Sequence, residues 1–340
     1  MSNSSVTHEF IKGLPKAELH LHLEGTLEPD LKLALAEKNG IDIGQSTIEE
    51  VEASYRFDSL SSFLAVYYPA MNVLQDESDF YELAMAYLRR AKDNGVVHVE
   101  LFFDPQAHTS RGVSFETVIK GYHRAVEEAP SLGIDAALIM CFLRDFSAES
   151  AMETYEQALP HKDLILGIGL DSDERDNPPL KFAEVFARAK ADGFPVAMHC
   201  DIDQENSIEH IRQALLEIGV DRLDHGTNIV EDPTLVAYVK EHGIGLTCCP
   251  ASNGFVGDDM KGKEIVELLT EGVKVTVNSD DPAYFRSYIS NDLYILAKKY
   301  ELSREQVVQL VRNSFEVSWI SDEAKAVFLA RVNEYVATQN

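Results

Sequence analysis

Histidines and aspartates stand at separated points of this 340-residue chain, each where a short apolar segment ends. His20 and His22 are two residues apart, and residues so spaced in a β-strand project from the same face, so both can bind one ion. Adding His199 and Asp280 gives three imidazoles and a carboxylate, a donor set that suits Zn²⁺ and leaves room for a water. We therefore predict one Zn²⁺ per chain on His20, His22, His199 and Asp280.

A fourth histidine, His225, and a second aspartate, Asp281, also stand where predicted strands end. A water bound to zinc loses a proton near neutral pH and can attack an electron-poor carbon. His225 is predicted to orient or deprotonate that water, with a fourth imidazole ligand or a structural histidine as the alternatives. Asp281 follows the predicted ligand Asp280 and should point to another side of the strand end. It is therefore predicted to contact substrate, although paired aspartates can also cap a turn.

The segments that carry these residues form a repeating pattern. Eight short apolar or β-branched runs occur, at residues 17–23, 96–103, 136–143, 164–170, 195–200, 222–225, 244–249 and 273–278. Helical patterns lie between many of them, at residues 80–94, 115–128, 182–192, 207–218, 233–242 and 263–271. Apolar strands alternating with helices indicate a parallel sheet covered on both faces. We predict an α/β fold of the (β/α)₈ TIM-barrel type, with its functional side chains at the carboxyl ends of the strands.

Two stretches fall outside the repeat. Residues 26–80, after the first strand, hold helical patterns and an aromatic cluster that is either a lid over a pocket or simply packed on the barrel. A second helical pattern follows residue 300 and extends through residue 332. No linker composition separates any part of the chain, so residues 1–340 are predicted to be one domain. Asp104 and Arg144 also end strands, but polar residues are common where loops begin, and neither is assigned a role.

The composition of the chain excludes several classes of binding partner. The 57 acidic and 30 basic residues give a formal net charge of −27, a field that repels nucleic-acid polymers and anionic membranes. The chain begins without the apolar stretch of a signal peptide, and no segment approaches the roughly 18 apolar residues of a membrane span. Phosphate-loop and dinucleotide motifs are missing. The four cysteines show no disulfide or zinc-ribbon spacing. We predict a cytoplasmic protein with reduced thiols and a small-molecule substrate.

Three motifs together are highly specific. They are Leu14-Pro15-Lys16-Ala17-Glu18-Leu19-His20-Leu21-His22-Leu23-Glu24-Gly25, Leu223-Asp224-His225-Gly226 and Asn278-Ser279-Asp280-Asp281-Pro282. This set resembles the adenosine and adenine deaminase family of the amidohydrolase superfamily, over nearly the whole chain. Further segments are most similar to the bacterial and fungal adenine deaminase branch, which acts on the free base. They are Phe102-Phe103-Asp104-Pro105-Gln106, Gly169-Leu170-Asp171-Ser172 and Ser279-Asp280-Asp281-Pro282-Ala283-Tyr284-Phe285.

The resemblance implies roles for individual residues. It implies Zn²⁺ on the four ligands already named, Asp281 on the purine N7, and His225 assisting the water. Ser172 falls where the family lets a backbone group meet the purine ring. Glu24 replaces an aspartate that meets the ribose in nucleoside-acting members, which argues against a nucleoside substrate. The implied reaction is hydrolysis at C6 of a 6-aminopurine base, which gives hypoxanthine and ammonia or an amine.

One segment departs from the family pattern. The third metal histidine is normally followed by Ala-Gly-Glu, whose glutamate protonates N1 of the ring. Here Cys200-Asp201-Ile202-Asp203-Gln204-Glu205 follows it. Asp203 is predicted to supply the acid, with Asp201 and Glu205 as alternatives. The altered loop also motivates the hypothesis that the enzyme prefers adenines substituted on N6, such as isopentenyladenine, over adenine itself.

Two other functions stay open at this point. A purine-binding protein could keep the fold and the metal but have lost catalysis together with the family glutamate. Such a protein would be stabilised by purine without releasing ammonia. An adenosine deaminase is the second alternative, but it would need ribose contacts that Glu24 does not indicate.

Overall fold

Eight parallel strands form the centre of the protein in the computed structural model, which describes residues 6–200, 206–257 and 259–339. The strands are β1 Lys16–Glu18, β2 Val96–Phe103, β3 Asp135–Leu143, β4 Gly167–Asp171, β5 Ala197–Cys200, β6 Arg222–His225, β7 Gly245–Cys248 and β8 Val275–Val277. Neighbours in the sequence pair in parallel within β1–β4 and within β5–β8. The bridges Ile168 to Val196 and Leu21 to Asp280 join the two sheets into a closed ring. The (β/α)₈ barrel predicted from the sequence is confirmed.

The first strand is shorter than the run 17–23 indicates. After Glu18 the regular ladder stops, and the Leu19 N–H donates to the side-chain oxygen of Asn278 at 2.9 Å. Beyond that point the chain makes only isolated bridges, from Leu21 to Asp280 and from His22 to Phe102. His20 and His22 therefore follow the strand and do not lie within it.

Helices surround the barrel. In the described residues they are α1 His8–Gly13, α2 Pro29–Asn39, α3 Ile48–Ser54, α4 Leu60–Ala70, α5 Glu77–Asp93, α6 Pro105–Thr109, α7 Phe115–Glu128, α8 Ala148–Ala158, α9 Ala183–Ala191, α10 Ser207–Arg212, α11 Pro233–His242, α12 Pro250–Val256, α13 Gly262–Thr270, α14 Pro282–Phe285, α15 Ile289–Lys299, α16 Arg304–Glu316 and α17 Asp322–Thr338. The insert after β1 contributes α2, α3 and α4, and the tail contributes α16 and α17. None of the helices described is both long and apolar enough to cross a membrane.

Side-chain caps fix where the helices begin. Asp76 accepts from the backbone N–H groups of Ser78 and Asp79, and the Asp79 side chain accepts from the Asp76 N–H, a reciprocal box that starts α5. Ser303 and Gln306 form the same box at α16. Each cap satisfies N–H groups that have no partner inside the helix. The inward faces of these helices then pack on strands such as β2, which is buried along its whole length.

A charged cluster is buried within the barrel, away from the predicted site residues. The Arg222 guanidinium donates to Glu100, and its carbon lies 4.2 Å from the ring centre of Trp319. Glu100 also accepts from the Trp319 backbone N–H at 2.6 Å. His98 lies 3.3 Å from Glu100, and its Nδ1 lies 2.8 Å from Asp135 Oδ2. Removing one partner of such a pair leaves an uncompensated buried charge.

We expect Glu100→Gln to lower the free energy of unfolding by about 3–5 kcal/mol, as for other broken buried ion pairs. Urea unfolding at pH 6 measures this. The exposed Glu149→Gln in α8 is the control and should change the value by less than about 0.5 kcal/mol. An equally small change for Glu100→Gln would show that the buried pair adds no stability.

The same cluster predicts how stability depends on pH. Burial opposes the charge of Glu100, but Arg222 and His98 outweigh it and lower its pKa from 4.5 to about 2. Its contribution is present above pH 4.5 and is lost as the pH falls through 2. Burial likewise opposes the charge of His98, but Asp135 and Glu100 raise its pKa from 6.5 to about 9. That contribution is complete below pH 6.5 and is lost as the pH rises through 9.

Candidate active site

The predicted metal ligands converge at the carboxyl end of the barrel. Nε2 of His20 and Nε2 of His22 lie 3.2 and 3.3 Å from the same oxygen, Oδ1 of Asp280. Nε2 of His22 lies 3.0 Å from Nε2 of His199. Three ring nitrogens and one carboxylate oxygen thus face a common point. Sequence positions up to 260 residues apart are brought there by the closure of β8 onto the segment after β1.

Contacts behind the ligands fix which ring nitrogen is free to bind a metal. The Thr247 hydroxyl donates to Asp224 at 2.7 Å, which leaves its oxygen to accept from Nδ1 of His20 at 2.9 Å. Nδ1 of His199 lies 3.5 Å from Asp224. Nδ1 of His22 lies 3.4 Å from Asp171. In His20 a proton held on Nδ1 in this way leaves the Nε2 lone pair for a cation, and in His199 and His22 the nearby carboxylates favour the same arrangement.

The donor set fits a metal ion electrostatically. Burial and the neighbouring imidazoles of His20, His22 and His225 lower the pKa of His199 well below its usual range, which favours the neutral form that a ligand needs. Burial opposes the charge of His22 too, but the carboxyl groups around it, those of Asp281, Asp171 and Asp280, raise its pKa well above its usual range, and a bound cation would have to displace that proton. Burial opposes the charge of Asp280, but His20 and His22 outweigh it and hold the pKa of Asp280 well below normal. Nε2 of His20 is buried and accepts no hydrogen bond from the part of the chain that the structure describes. These features match a nitrogen and oxygen site for a divalent cation.

His225 lies against the same carboxylate. Its Nε2 is 3.7 Å from Asp280 Oδ2, and its Nδ1 has no hydrogen-bond partner among the described residues. Burial, followed by the charge of His20, lowers the pKa of His225 to about 3, so its imidazole is neutral near neutral pH. The ligand atoms of His20, His199, His225 and Asp280 all lie within 4.8 Å of one another. Position alone therefore leaves His225 either as a ligand or as a base.

Backbone strain occurs at two of these residues. Asp280 has φ of 63° and His225 has φ of 57°, the left-handed region that non-glycine residues rarely occupy. Such strain persists where the surrounding structure fixes it, often at functional sites. Nearby, a Cβ added to Gly25 would lie 2.0 Å from Oδ1 of Asp281. Glycine is required there because the chain after β1 passes directly over that carboxyl group.

A cleft of about 540 Å³, including the part open to solvent, lies above the cluster. One part of its wall is apolar and comes from Leu60, Phe63, Leu64, Val256 and Phe285. Another part is polar and includes Tyr67, Tyr68, Asp104, Asp171, Ser172 and Asp281. The insert after β1 therefore lines the cleft through α4, in agreement with the lid interpretation of its aromatic residues.

The two predicted substrate contacts both line this cleft. Asp281 is 4 % exposed, and its Oδ1 has no hydrogen-bond partner within the described ranges. Burial, followed by the charge of Asp280, raises the pKa of Asp281 well above its usual range. Ser172 has φ of 75° and follows the last residue of β4. Asp203 and its alternatives Asp201 and Glu205 lie outside the described residues. The identity of the acid that protonates the ring therefore stays a prediction.

Sequence reasoning missed several residues that shape this site. Thr247 bonds the imidazole of His20, and Asp224 lies 3.5 Å from that of His199 and accepts from Thr247. Asp224 stands next to His225 in a recognised motif, and that adjacency was the signal available. Thr247 gave no signal, because a threonine within an apolar strand is common.

Comparison with known proteins agrees with this geometry. Residues 15–335 match the family model described as adenosine deaminase. An adenine deaminase from Psychrobacter cryohalolentis is 46 % identical over 331 residues, which cover 96 % of this chain and 99 % of the relative. The crystal structure of an adenine deaminase from Arthrobacter aurescens has a TM-score of 0.92 and 43 % identity, and the match covers 95 % of this chain and 99 % of that one.

A second solved structure is that of an amidohydrolase from Burkholderia ambifaria with bound Zn. Its TM-score is 0.88 at 25 % identity, and the match covers 99 % of this chain and 96 % of that one. The family match spans the strands, the ligand cluster and the cleft together. The chain therefore belongs to the adenosine deaminase family and is a hydrolytic deaminase.

Proposed function

We propose that this protein is a zinc-dependent deaminase of free 6-aminopurine bases, which yields hypoxanthine and ammonia or an amine. The observation that carries the proposal is the convergence of three imidazole Nε2 atoms and Asp280 Oδ1 beneath a partly apolar cleft. The adenine deaminases to which the chain is similar cover it almost completely, which supports the free base as substrate.

His20, His22, His199 and Asp280 would hold the metal, and zinc is supported by the donor types and by the Zn-bound relative. When bound, zinc supplies Lewis acidity and lowers the pKa of a water to about 7. The chain supplies the rest of the chemistry. His225, neutral and 3.7 Å from Asp280, would take or hold the proton of the attacking water.

Other side chains would orient the purine. The Asp281 carboxyl group, buried in the wall of the cleft, would bind N7, and the backbone at Ser172 would meet the purine ring. An acid is still required to protonate N1 as C6 is attacked, and Asp203 is our proposal for it. These contacts hold C6 against the metal site, and such positioning lowers the barrier by limiting the motions of the reactants.

The apolar part of the wall supports the narrower proposal that N6-substituted adenines are good substrates. Leu60, Phe63 and Leu64 come from α4, and Val256 and Phe285 face the same cleft. Adenine has no alkyl group for such a surface to bury, whereas N6-isopentenyladenine has one. Burying apolar area is favourable by about 25 cal/mol per Å².

Incubating metal-replete protein with adenine, N6-isopentenyladenine and adenosine in parallel tests the proposal. We expect both free bases to give hypoxanthine, N6-isopentenyladenine faster than adenine, and adenosine to react at least about 100-fold more slowly. Product identity is read by chromatography and the rate by the change in purine absorbance. Efficient turnover of adenine without turnover of N6-isopentenyladenine would refute the N6 preference alone. No turnover of any purine by protein that contains zinc would refute the deaminase proposal.

A further inference from the structure

Asp104 is a buried carboxyl group of the cleft to which the reaction described above gives no task. It directly follows β2, lines the cleft and is 1 % exposed. Its Oδ1 accepts no hydrogen bond from residues 6–200, 206–257 or 259–339. Burial, followed by the charge of the adjacent Asp171, raises the pKa of Asp104 well above its usual range, and a protonated carboxyl group still has an oxygen that can accept. A buried acceptor without a donor costs about 1–3 kcal/mol, so such an atom in the wall of a binding site calls for an explanation.

The order of the strands around the barrel shows which edge of a bound purine Asp104 would face. Hydrogen-bonded neighbours follow one another from β1 to β4 and from β5 to β8, and two bridges close the ring. Passing from β5 backwards through β4, β3, β2 and β1 therefore leads to β8. The carboxyl ends of all eight strands meet at the rim of the cleft.

The atoms at the edge of a purine occur in a matching order. From C6 they run N1, C2, N3, C4, N9, C8 and N7. In the proposed function C6 faces the metal ligands, N1 faces the segment after β5, and N7 faces Asp281 after β8. The inference rests on that orientation. N9 lies between N3 and N7 on the edge of the ring, so it faces the ends of β3, β2 and β1.

Polar groups at the ends of β3 and β1 are engaged elsewhere. The Arg144 guanidinium donates to the carbonyl oxygens of His199 and Asn177, and Arg144 does not line the cleft. Glu24 does not line the cleft: its Oε1 accepts from Tyr122 at 2.9 Å and lies 2.8 Å from Nε2 of His108, and its Oε2, which has no partner among the described residues, is buried behind the wall. Asp104 is the polar residue on this side whose carboxyl group both lines the cleft and has an oxygen without a partner.

We propose that Asp104 accepts a hydrogen bond from the N9–H of the free base and is a specificity-determining residue of this enzyme. A nucleoside has a carbon on N9 and therefore no hydrogen to donate. Binding a nucleoside would leave Oδ1 of Asp104 buried against that carbon. Sites built to bond a donor discriminate strongly against analogues that lack it, because their own polar group is then left unpaired. Asp281 and Asp104 would thus hold the two nitrogens of the imidazole ring, N7 and N9.

Comparing adenine with 9-methyladenine tests this directly, because the two differ only at N9. For the unchanged protein we expect kcat/KM to be at least about 100-fold higher for adenine. Asp104→Leu removes the acceptor at similar size and should lower kcat/KM for adenine by about 100-fold while leaving 9-methyladenine unaffected. Asp104→Asn keeps an acceptor oxygen, so its kcat/KM for adenine should lie between the values for the unchanged protein and for Asp104→Leu. Glu149→Gln, an exposed change after β3, should leave both values and their ratio unchanged.

The outcomes separate this inference from the proposed function. Equal kcat/KM for the two bases with the unchanged protein would overturn the role of Asp104 and leave the deaminase intact. A ratio that is unchanged in Asp104→Leu, or one that collapses only in Glu24→Gln, would also overturn it. Protection against heat provides a readout that needs neither turnover nor a variant. If adenine raised the melting temperature more than 9-methyladenine did, and Asp104→Leu lost that difference, the inference would stand even for a protein without deaminase activity.

Discussion

Replacing Asp280 with alanine is expected to abolish stoichiometric metal binding and purine deamination together. Asp280 Oδ1 lies 3.2 and 3.3 Å from Nε2 of His20 and His22, and among the described residues Asp280 is the one carboxylate that forms an ion pair with both rings. A bound metal lowers a hydrolytic barrier by several kcal/mol, and about 1.4 kcal/mol corresponds to tenfold in rate. We therefore expect kcat/KM to fall by at least about a thousandfold. Elemental analysis of the purified variant and an assay for hypoxanthine measure the two effects.

The neighbouring carboxylate provides the matched control. Asp281→Asn should keep one metal per chain, because Asp281 is proposed to hold the purine and not the ion. Its KM for adenine should rise about 10- to 100-fold through the loss of a hydrogen bond to a charged group. If Asp280→Ala kept both its metal and its activity, the assignment of the metal site would be wrong. Metal loss in both variants would mean that Asp281 also contributes to that site.

The barrel was predictable because its strands carry an unambiguous pattern. A strand buried on both faces is apolar without interruption, and the run 96–103 has the same bounds as β2. The run 222–225 likewise matches β6. Helix positions followed from apolar periodicity, and α7 matches the predicted residues 115–128. In these segments local sequence and tertiary environment favour the same structure.

The prediction for the first strand was less accurate because residues distant in the sequence determine the backbone conformation after Glu18. Residues 17–23 alternate apolar side chains as a strand would, yet the ladder ends at Glu18. The Leu19 N–H bonds to Asn278, and the His22 N–H bonds to the Asp280 carbonyl oxygen at 3.0 Å. Both partners are more than 250 residues away in the sequence, so no local window contains them. The same contacts bring the two histidines to Asp280.

The metal ligands could be predicted from the sequence, but the residues that support them and the role of Asp104 could not. Ligand types could be read from the sequence because a zinc site needs few kinds of side chain, and strand ends restrict where they occur. The Thr247 hydroxyl and Asp224 that hold two ligands depend on the register of β6 against β7. Asp104 appears ordinary in the sequence, since aspartate before proline is common at the start of a loop. Its burial and unpartnered oxygen become visible only when the cleft is assembled.

His225→Asn is expected to lower kcat about 100- to 10,000-fold, the range over which positioned acids and bases act. Asparagine suits this position because it tolerates the left-handed φ of 57° better than most residues. Its short amide cannot reach the place of Nε2, which lies 3.7 Å from Asp280 Oδ2, and it cannot take up a proton near neutral pH. We expect the KM for adenine to change little, because Asp281 and the backbone at Ser172 are proposed to hold the purine. Steady-state kinetics separates the two constants.

Metal content then decides between the two roles that the geometry leaves to His225. Retention of one metal per chain together with the loss of kcat would identify a residue that handles the proton of the water. Loss of the metal would instead identify a further ligand, as the distances within 4.8 Å to His20, His199 and Asp280 also permit. His242→Gln, in the exposed last turn of α11, is the matched control for removing a histidine and should leave both metal and kcat unchanged. Full activity in His225→Asn would exclude both roles, because neither a base nor a ligand at this point could be removed without cost.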